Sequence, residues 1–313
     1  MEQEKVFHQI MKELCGEMNI KLEKLSYNWI LQLSKNGKVR HITGNRFDIN
    51  PEATGNIACD KYATFEVLKS QNIPVIKHAM AFNPSKRSKY VTESDIIKIA
   101  ENEFKKYKCL VVKPNDGSEG KGVTLCKTME DTKKAIKELF QENSSISVCP
   151  YYDIKKEYRT FYLNGEVMLI YGKTKPFVIG DGKNTTGKLI EKLKLPNKRV
   201  VRENLNLIDL NKIPEENEKV EISWKHNLSG GAKPNILEKG ELYSQIEELA
   251  IRAGKAMNIN FATIDIIETT DNNLQVLEIN SGVSATLFIE LVDEGYELIK
   301  SIYRKCLIEM FEL

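Results

Sequence analysis

Residues 110–125 read Leu110-Val-Val-Lys-Pro-Asn-Asp-Gly-Ser-Glu-Gly-Lys-Gly-Val-Thr-Leu125, and this stretch decides how the rest of the chain is interpreted. Apolar residues at 110–112 and again at 123–125 predict two β-strands joined by a glycine-rich turn. The glycines at 117, 120 and 122 allow positive φ angles and a close approach of the backbone to a ligand. Lys113 adds a positive charge where the first strand ends. The stretch therefore predicts a hairpin that covers the phosphates of a nucleotide.

Helical and strand patterns alternate on both sides of this hairpin. Amphipathic spacing predicts helices at residues 3–18, 60–72, 92–106, 128–141, 188–193, 242–257 and 294–311. Strand patterns occur at residues 29–33, 39–42, 75–76, 145–148, 158–163, 166–171, 261–267 and 274–279. Asp60 is the predicted N-cap of the second helix, and Asn164-Gly165 favours a type I′ hairpin turn. The mixture indicates an α+β (α/β) fold.

Composition and charge narrow the class of protein. The 313 residues include 29% charged and 41% hydrophobic side chains, an ordinary globular mixture. A formal net charge of +2 argues against a dedicated nucleic-acid-binding protein. Six cysteines form no Cys-x-x-Cys pair and only four histidines are present, so we expect no zinc site. No apolar run approaches about 18 residues and the N-terminus is acidic, so we expect a cytoplasmic protein without membrane contact.

The last predicted hairpin carries a candidate metal site. If its turn centres between Asp271 and Asn272, Asp265 lies directly opposite Glu278, with about 5 Å between their Cβ atoms. Asn280 is two residues further along and shares the same face. Two carboxylates and an amide oxygen suit a hard cation such as Mg²⁺, whereas the alternative is two exposed acids on a solvated face. The opposite, buried face is predicted to carry Ile264, Ile266, Leu277 and Ile279.

Read together, these motifs resemble the signature of the ATP-grasp superfamily of carboxylate–amine ligases. Lys61, Lys113 and the Asp265…Glu278-x-Asn280 set occur in the order and spacing of that superfamily across residues 55–290. Val178-Ile-Gly-Asp-Gly182 and Asn227-Leu-Ser-Gly-Gly231 extend the likeness, which is greatest to the ATP-grasp domain of cyanophycin synthetase and to glutathione-synthetase-like ligases. The resemblance implies two α+β subdomains that clamp ATP, at residues 56–150 with the glycine-rich flap and 151–313 with the metal site. A small N-terminal region of helix and strands, residues 1–55, precedes them.

The resemblance also implies an activity and a set of site residues. Such enzymes use ATP to convert a carboxylate into an acylphosphate, which an amine attacks to give an amide or peptide bond, ADP and phosphate. Arg159, Asn227, Ser229 and Gly230 are the candidate catalytic residues, and Asp265, Glu278 and Asn280 are the candidate ligands of one or two Mg²⁺ ions, with Mn²⁺ as a substitute. The candidate ATP-binding residues are Lys61, Lys113, Gly117, Ser118, Gly120, Gly122, Cys149, Tyr151, Glu157 and Lys173.

Simpler interpretations of several residues stay open. Arg159 and Glu157 could be ordinary ion pairs, Lys173 a solvated strand lysine, and His226 a bystander beside the Asn227 loop. The run Asn280-Ser-Gly-Val-Ser-Ala-Thr286 lacks the Pro-Gly that many relatives carry, so the substrate is not defined by the resemblance. Gly182-Lys-Asn-Thr-Thr-Gly-Lys-Leu189 imitates a phosphate-binding P-loop, but its last position requires Ser or Thr.

The resemblance does not define the individual substrates or the oligomeric state. We expect small-molecule carboxylate and amine substrates, an amino acid or short peptide among them, with no nucleic acid, and a homodimer is the assembly to test. The alternatives to a ligase are a kinase-like ATP-grasp enzyme that stops at a phosphorylated product and a nucleotide-binding module without activity.

Overall fold

The computed structural model describes residues 5–87, 89, 92–117, 120–193 and 208–313. In these ranges the helices are α1 (Val6–Glu17), α2 (Glu52–Cys59), α3 (Lys61–Ser70), α4 (Pro84–Arg87), α5 (Glu93–Tyr107), α6 (Met129–Glu142), α7 (Thr186–Glu191), α8 (Glu241–Ala256), α9 (Thr286–Leu291) and α10 (Gly295–Phe311). The strands are β1 (Lys21–Leu25), β2 (Ile30–Lys35), β3 (Lys38–Thr43), β4 (Arg46–Phe47), β5 (Ala79–Phe82), β6 (Leu110–Pro114), β7 (Thr124–Cys126), β8 (Ser145–Pro150), β9 (Ile154–Leu163), β10 (Glu166–Lys173), β11 (Phe177–Ile179), β12 (Lys219–Glu221), β13 (Pro234–Ile236), β14 (Phe261–Thr269) and β15 (Leu274–Asn280). None of the described helices is both long and apolar enough to cross a bilayer.

The N-terminal layer is a meander of four antiparallel strands in the order β1-β2-β3-β4, covered by α1. The helix and the strands β2 and β3 are confirmed, whereas β1 and the two-residue β4 were not predicted. Ile10, Met11 and Leu14 of α1 are fully buried in a core that also contains Tyr303 and Leu307 of α10. The N-terminal layer is therefore packed onto the C-terminal helix.

The two helices α2 and α3 lead from this layer into the site. The Asp60 side chain accepts a hydrogen bond from the backbone N–H of Ala63 (2.7 Å), which confirms the predicted N-cap of α3. Helix α2 was missed because its eight residues carry little amphipathic pattern. The predicted strand at residues 75–76 is wrong. Val75 makes one isolated bridge to Val276, and the strand β5 begins only at Ala79.

A four-stranded sheet in the order β5-β8-β6-β7 contains the glycine-rich hairpin. The predicted helices on either side of the hairpin are confirmed as α5 and α6, and each begins with a capping box, at Thr92 and Thr128. Both helices pack on this sheet in a core that includes Ile96, Ala135 and Val148. The hairpin is thus anchored at its base by buried strands.

The largest sheet has the order β13-β10-β9-β14-β15, with β9, β10, β14 and β15 antiparallel to their neighbours. Asn164 (φ 45°) and Gly165 (φ 91°) form the predicted tight turn between β9 and β10. One face of the sheet packs on the confirmed helix α8, and its opposite face is apolar at Phe161 and Phe261, where it meets the N-terminal layer. The remainder of that second face carries charged residues.

The register of β14 and β15 confirms the predicted pair of Asp265 and Glu278. A β-bulge follows directly, because Ile266 pairs with Val276 rather than with Leu277. The extra residue shifts the alternation of side chains, so Val276 is buried in the core and Leu277 lines a cavity. The prediction that Leu277 belongs to the buried face is therefore wrong.

Between β10 and β13 of the large sheet, the chain forms a small two-stranded sheet, β11 and β12, beside α7. Helix α7 ends at Glu191, two residues earlier than predicted. The domain boundaries predicted at residues 55 and 150 stay a prediction. The N-terminal layer and the large sheet share one hydrophobic core.

Candidate active site

A cavity of about 480 Å³ lies between the sheet β5-β8-β6-β7 and the charged face of the large sheet. It brings together most of the predicted site residues: Lys61, Lys113, Gly117, Gly120, Cys149, Tyr151, Glu157, Arg159, Lys173, Asn227, Ser229, Asp265, Glu278 and Asn280. Gly122 and Gly230 do not line it, and Ser118 lies outside the described residues. Site residues that are far apart in the sequence therefore line one cavity.

The two lysines enter from the hairpin side. Lys113 lies on β6 opposite Ser147 and is buried, with 7% of its surface exposed. Lys61 at the start of α3 donates from Nζ to the carbonyl oxygen of Gly117 (2.6 Å), and its backbone N–H donates to the carbonyl of Asn115 (3.1 Å). Burial lowers the pKa of Lys61, and the charge of Lys113 lowers it further against the opposing effect of Glu278. Such a pair of confined cations favours an anionic ligand.

The glycine-rich turn touches the opposite side of the cavity. Gly120 has a φ of 69°, and a Cβ on it would lie 2.8 Å from Nδ2 of Asn227. The Nζ of Lys225 donates to the carbonyl oxygen of Gly120 (3.2 Å). Gly122 instead faces α6, because a Cβ there would lie 2.9 Å from Leu139. Gly120 thus serves a close approach across the cavity, whereas Gly122 serves the packing of the hairpin.

The end of the cavity next to β8 is apolar and aromatic. Tyr151 follows β8 and contacts Trp224 edge to face, with 6.1 Å between ring centroids. Val111, Ile154 and Leu277 add aliphatic surface to the same cavity. Trp224 was missed because it lies in an irregular segment whose sequence has neither helical nor strand periodicity. A flat aromatic ring would fit this end of the cavity.

A compact group of buried charges lies on the large sheet. Arg159 donates through Nε and Nη2 to the two carboxylate oxygens of Asp265 (2.7 and 2.6 Å), and the two residues are register partners on β9 and β14. Lys173 forms ion pairs with Glu157 and with Asp265 (Nζ to Oδ1, 3.5 Å). The four side chains form three cation–carboxylate pairs, two of which share Asp265.

The pKa values in this group follow from burial and from the paired charges. Burial alone raises the pKa of Asp265, but the charges of Arg159 and Lys173, together with hydrogen bonds to Arg159 and Glu278, hold this pKa well below its ordinary range. Burial raises the pKa of Glu157 against the opposing charge of Lys173. His226 lies with Nδ1 3.8 Å from a Glu157 oxygen, and burial lowers its pKa to about 3. The imidazole is therefore neutral at pH 7.

Glu278 and Asn280 form the half-buried part of the predicted metal face. The Nδ2 of Asn280 donates to Oε1 of Glu278 (3.2 Å). Both side chains line the cavity, and their oxygens are hard donors that fit Mg²⁺. Asp265 is 1% exposed and already bound to Arg159, so it could ligate a cation only by sharing that contact. In the described ranges no group of three or more His, Cys, Asp or Glu is arranged for a metal, and this face has two acids and an amide.

The Asn227 loop differs from the predicted donor-rich loop. The backbone N–H of Gly230 donates to the carbonyl of Asn227 (2.9 Å), and that of Gly231 to Leu228 (3.0 Å), within a short 3₁₀ turn. These amides are consequently occupied inside the loop. The polar groups that the loop presents to the cavity are the side chains of Asn227 and Ser229.

The arrangement of two sheets around one cavity is that of a known class of fold. A bifunctional glutathione synthetase from Pasteurella multocida aligns with 96% of this chain and 44% of its own, with a TM-score of 0.56 and 18% identity. Residues 217–302 match the family of RimK-like ATP-grasp domains. The chain thus has the ATP-grasp fold, as residues 55–290 predict.

Two curated proteins are similar in sequence to most of this chain. A cyanophycin synthetase from Nostoc is 25% identical over 292 residues, which cover 88% of this chain and 31% of the relative. The glutathione biosynthesis bifunctional protein GshAB of Clostridium perfringens is 24% identical over 280 residues, 80% of this chain and 34% of the relative. This chain accordingly spans about a third of the length of these relatives.

Proposed function

We propose that this chain is an ATP-dependent, Mg²⁺-dependent ligase that joins a carboxylate to an amine and releases ADP and phosphate. The observation that carries the proposal is the single cavity in which Lys61 and Lys113 share a space with Glu278 and Asn280. The names of the relatives, a cyanophycin synthetase and a glutathione biosynthesis protein, support an enzyme that builds amide bonds.

Each wall of the cavity has a role in this reaction. Lys61 and Lys113 neutralise the phosphates of ATP, and the hairpin around Gly120 closes over them. Tyr151 and Trp224 hold the adenine ring at the aromatic end. Glu157 accepts hydrogen bonds from the ribose. Positioning and charge neutralisation of this kind supply most of the catalysis in phosphoryl transfer.

The reaction has two steps that need few side chains. A substrate carboxylate oxygen attacks the γ-phosphorus, the bond to the β,γ-bridging oxygen breaks, and ADP leaves. The nitrogen of a neutral amine then attacks the acyl carbon, phosphate leaves with the bond electrons, and the nitrogen loses a proton to solvent. Asn227 and Ser229 orient the transferred phosphoryl group from the edge of the cavity.

A metal site would lie on the half-buried face of the last hairpin. Glu278 and Asn280 would hold the ion, with Asp265 shared between the ion and Arg159. Mg²⁺ supplies charge neutralisation and orientation of the phosphates when bound. Mn²⁺ as a substitute, a cytoplasmic location and a homodimer stay predictions beside this proposal.

A phosphate-release assay tests the proposed function directly. Purified protein is incubated with ATP, Mg²⁺ and pairs drawn from amino acids and dipeptides, and products are weighed by mass spectrometry. We expect phosphate release for at least one pair, together with a product lighter than the summed substrates by one water. A phosphorylated product without amide would identify the kinase-like alternative. Protein that binds ATP by calorimetry but releases no phosphate with any pair would indicate the inactive module.

A further inference from the structure

A second cavity of about 210 Å³ adjoins the active-site cavity at the metal face. The two share Lys61, Gly117, Leu277, Glu278, Asn280 and Gly282 in their walls. The second cavity is also lined by Arg46 on β4, Cys59 at the end of α2 and Ser281, which have no predicted role, and by the acid Asp116. A small compartment thus opens directly beside the groups assigned to the phosphates and the metal.

Arg46 and Lys61 are the cations that line this compartment, and Arg46 is the one without a predicted role. Its Nη2 donates to Sγ of Cys59 (3.0 Å), and within the described residues it forms no ion pair with a carboxylate. The Cys59 sulfur lies 3.7 Å from Oγ of Ser281, which itself donates to the carbonyl of Gly55 (3.1 Å). The hydrogen-bond partner of the guanidinium is thus a neutral thiol. Asp116 and Glu278 also line the compartment, but among the described residues neither forms an ion pair with Arg46, so its planar fork can bind a planar anion in two parallel hydrogen bonds.

The position and size of the compartment limit what can bind there. Lys61 and Glu278 line both cavities, but Lys113 lines only the active-site cavity, so we assign the carboxylate that reacts with ATP to the active-site cavity and an anion at Arg46 to a second, unreactive group. The volume is below the roughly 300–1,000 Å³ of cavities for drug-sized ligands, which favours a single amino acid. Glu278 lines both cavities and attracts an ammonium group toward the reaction centre.

We propose that this compartment receives the amine substrate, and that this substrate is an α-amino acid whose carboxylate pairs with Arg46. The inference rests on the proposed ligase function and adds the chemical class of the acceptor. In an α-amino acid the amine is separated from the carboxylate by one carbon. A carboxylate bound to Arg46 therefore leaves the amine close to Glu278 and Asn280, where an acyl carbon would be attacked.

Direct binding tests this assignment without turnover. The wild-type protein is saturated with a non-hydrolysable ATP analogue and Mg²⁺. Glycine, L-alanine, L-aspartate and L-glutamate are then titrated, each against its α-carboxamide, by saturation-transfer NMR. We expect at least one acid to bind about tenfold or more tightly than its amide, since charge-assisted bidentate pairing is lost in the amide. Arg46→Ala should remove this preference, and Arg46→Lys should restore part of it.

Matched controls separate the assignment from a general loss of structure. Arg252→Ala removes another exposed arginine, whose one ion pair among the described residues is with Glu248 on its own helix, and should leave the preference unchanged. Affinity for the ATP analogue and the melting temperature should be the same in wild type and Arg46→Ala. Equal binding of acid and amide to the wild type, no binding of any acid, or an unchanged preference in Arg46→Ala would each overturn the assignment. If the proposed ligase function itself is wrong, the wild-type protein binds no ATP, and this result is distinct from the three outcomes above.

Discussion

At the scale of single residues, the buried charges on the large sheet form a connected set of ion pairs. Arg159, Lys173, Glu157 and Asp265 are adjacent on β9, β10 and β14, and each cation has a carboxylate partner. Removing one partner from a buried ion pair leaves an uncompensated charge, which costs more than the pair itself contributes. The tolerance of each acid to substitution should therefore depend on its partners.

Asp265 and Glu278 should respond differently to neutralisation although they face each other. Asp265→Asn leaves Arg159 without its bidentate partner, so the free energy of unfolding should fall by about 3 kcal/mol. Glu278 has no cation bound to it in the described structure, so Glu278→Gln should change that free energy by less than about 1 kcal/mol. Both variants should lose activity by more than the 10–100-fold typical of outer-shell partners of a metal. Chemical denaturation and phosphate release measure the two effects.

Glu268 provides the control for this pair of substitutions. It lies on the same strand β14, accepts hydrogen bonds from Lys155 (2.6 Å) and Tyr158 (2.8 Å), and does not line the cavity. Glu268→Gln should lower stability without a loss of activity. A Glu278→Gln variant with wild-type activity would contradict the metal face, and an Asp265→Asn variant with wild-type stability would contradict the ion pair.

At the scale of elements, the glycine-rich hairpin between β6 and β7 makes a close contact across the cavity. Its Gly120 touches Asn227 and accepts from Lys225, so the hairpin and the Asn227 loop meet across the cavity. An enzyme that must admit ATP and then exclude water needs such a contact to open and close. We therefore expect the hairpin to close over ATP through this contact and to open when the nucleotide leaves.

Gly120→Ala should disturb this closure more than it disturbs the fold. The positive φ of 69° strains alanine by about 1–2 kcal/mol, and the new Cβ also meets Asn227. Gly37→Ala is the matched control, because its φ is 76° and nothing lies within 4 Å of the added Cβ. Both variants should lose similar stability, but only Gly120→Ala should raise the KM for ATP. Equal KM values in the two variants would refute the closure.

At the scale of the whole molecule, the cavity is bounded by parts that lie far apart along the chain. The hairpin sheet, the large sheet, and Asn45 from the N-terminal layer all contribute to its wall. The N-terminal layer and α10 share one core with the large sheet. A ligand that binds in this cavity should consequently stabilise the molecule as a unit rather than one half.

ATP together with Mg²⁺ should raise the melting temperature by several degrees. A ligand at a hundredfold excess over its Kd adds about 2.7 kcal/mol to the stability of the folded state. Because we propose that Lys61 and Lys113 bind phosphate and that Glu278 and Asn280 bind the cation, we expect ATP with EDTA to give a smaller shift. Differential scanning calorimetry measures both, with adenosine as the control that lacks phosphates. A shift that is indifferent to Mg²⁺ would argue against the metal face.

Local patterns were sufficient to predict several features from the sequence. The pair of Asp265 and Glu278 follows from one hairpin with a short turn, and the N-cap at Asp60 is confirmed by a hydrogen bond three residues away. The hairpin containing Lys113 and the helices α5 and α6 are likewise confirmed. These features depend on neighbours along the chain, for which side-chain alternation and capping chemistry suffice.

Only the tertiary structure determined what the site residues contact. Arg159 and Asp265 are separated by 106 positions, and their ion pair depends on β9 lying next to β14, which no local pattern specifies. The place of Trp224 against Tyr151 and of Arg46 beside Ser281 depends in the same way on the packing of distant segments. The sequence by itself determined which residues could serve ATP and a cation. Packing decided their partners, because burial and pairing are set by the whole chain at once.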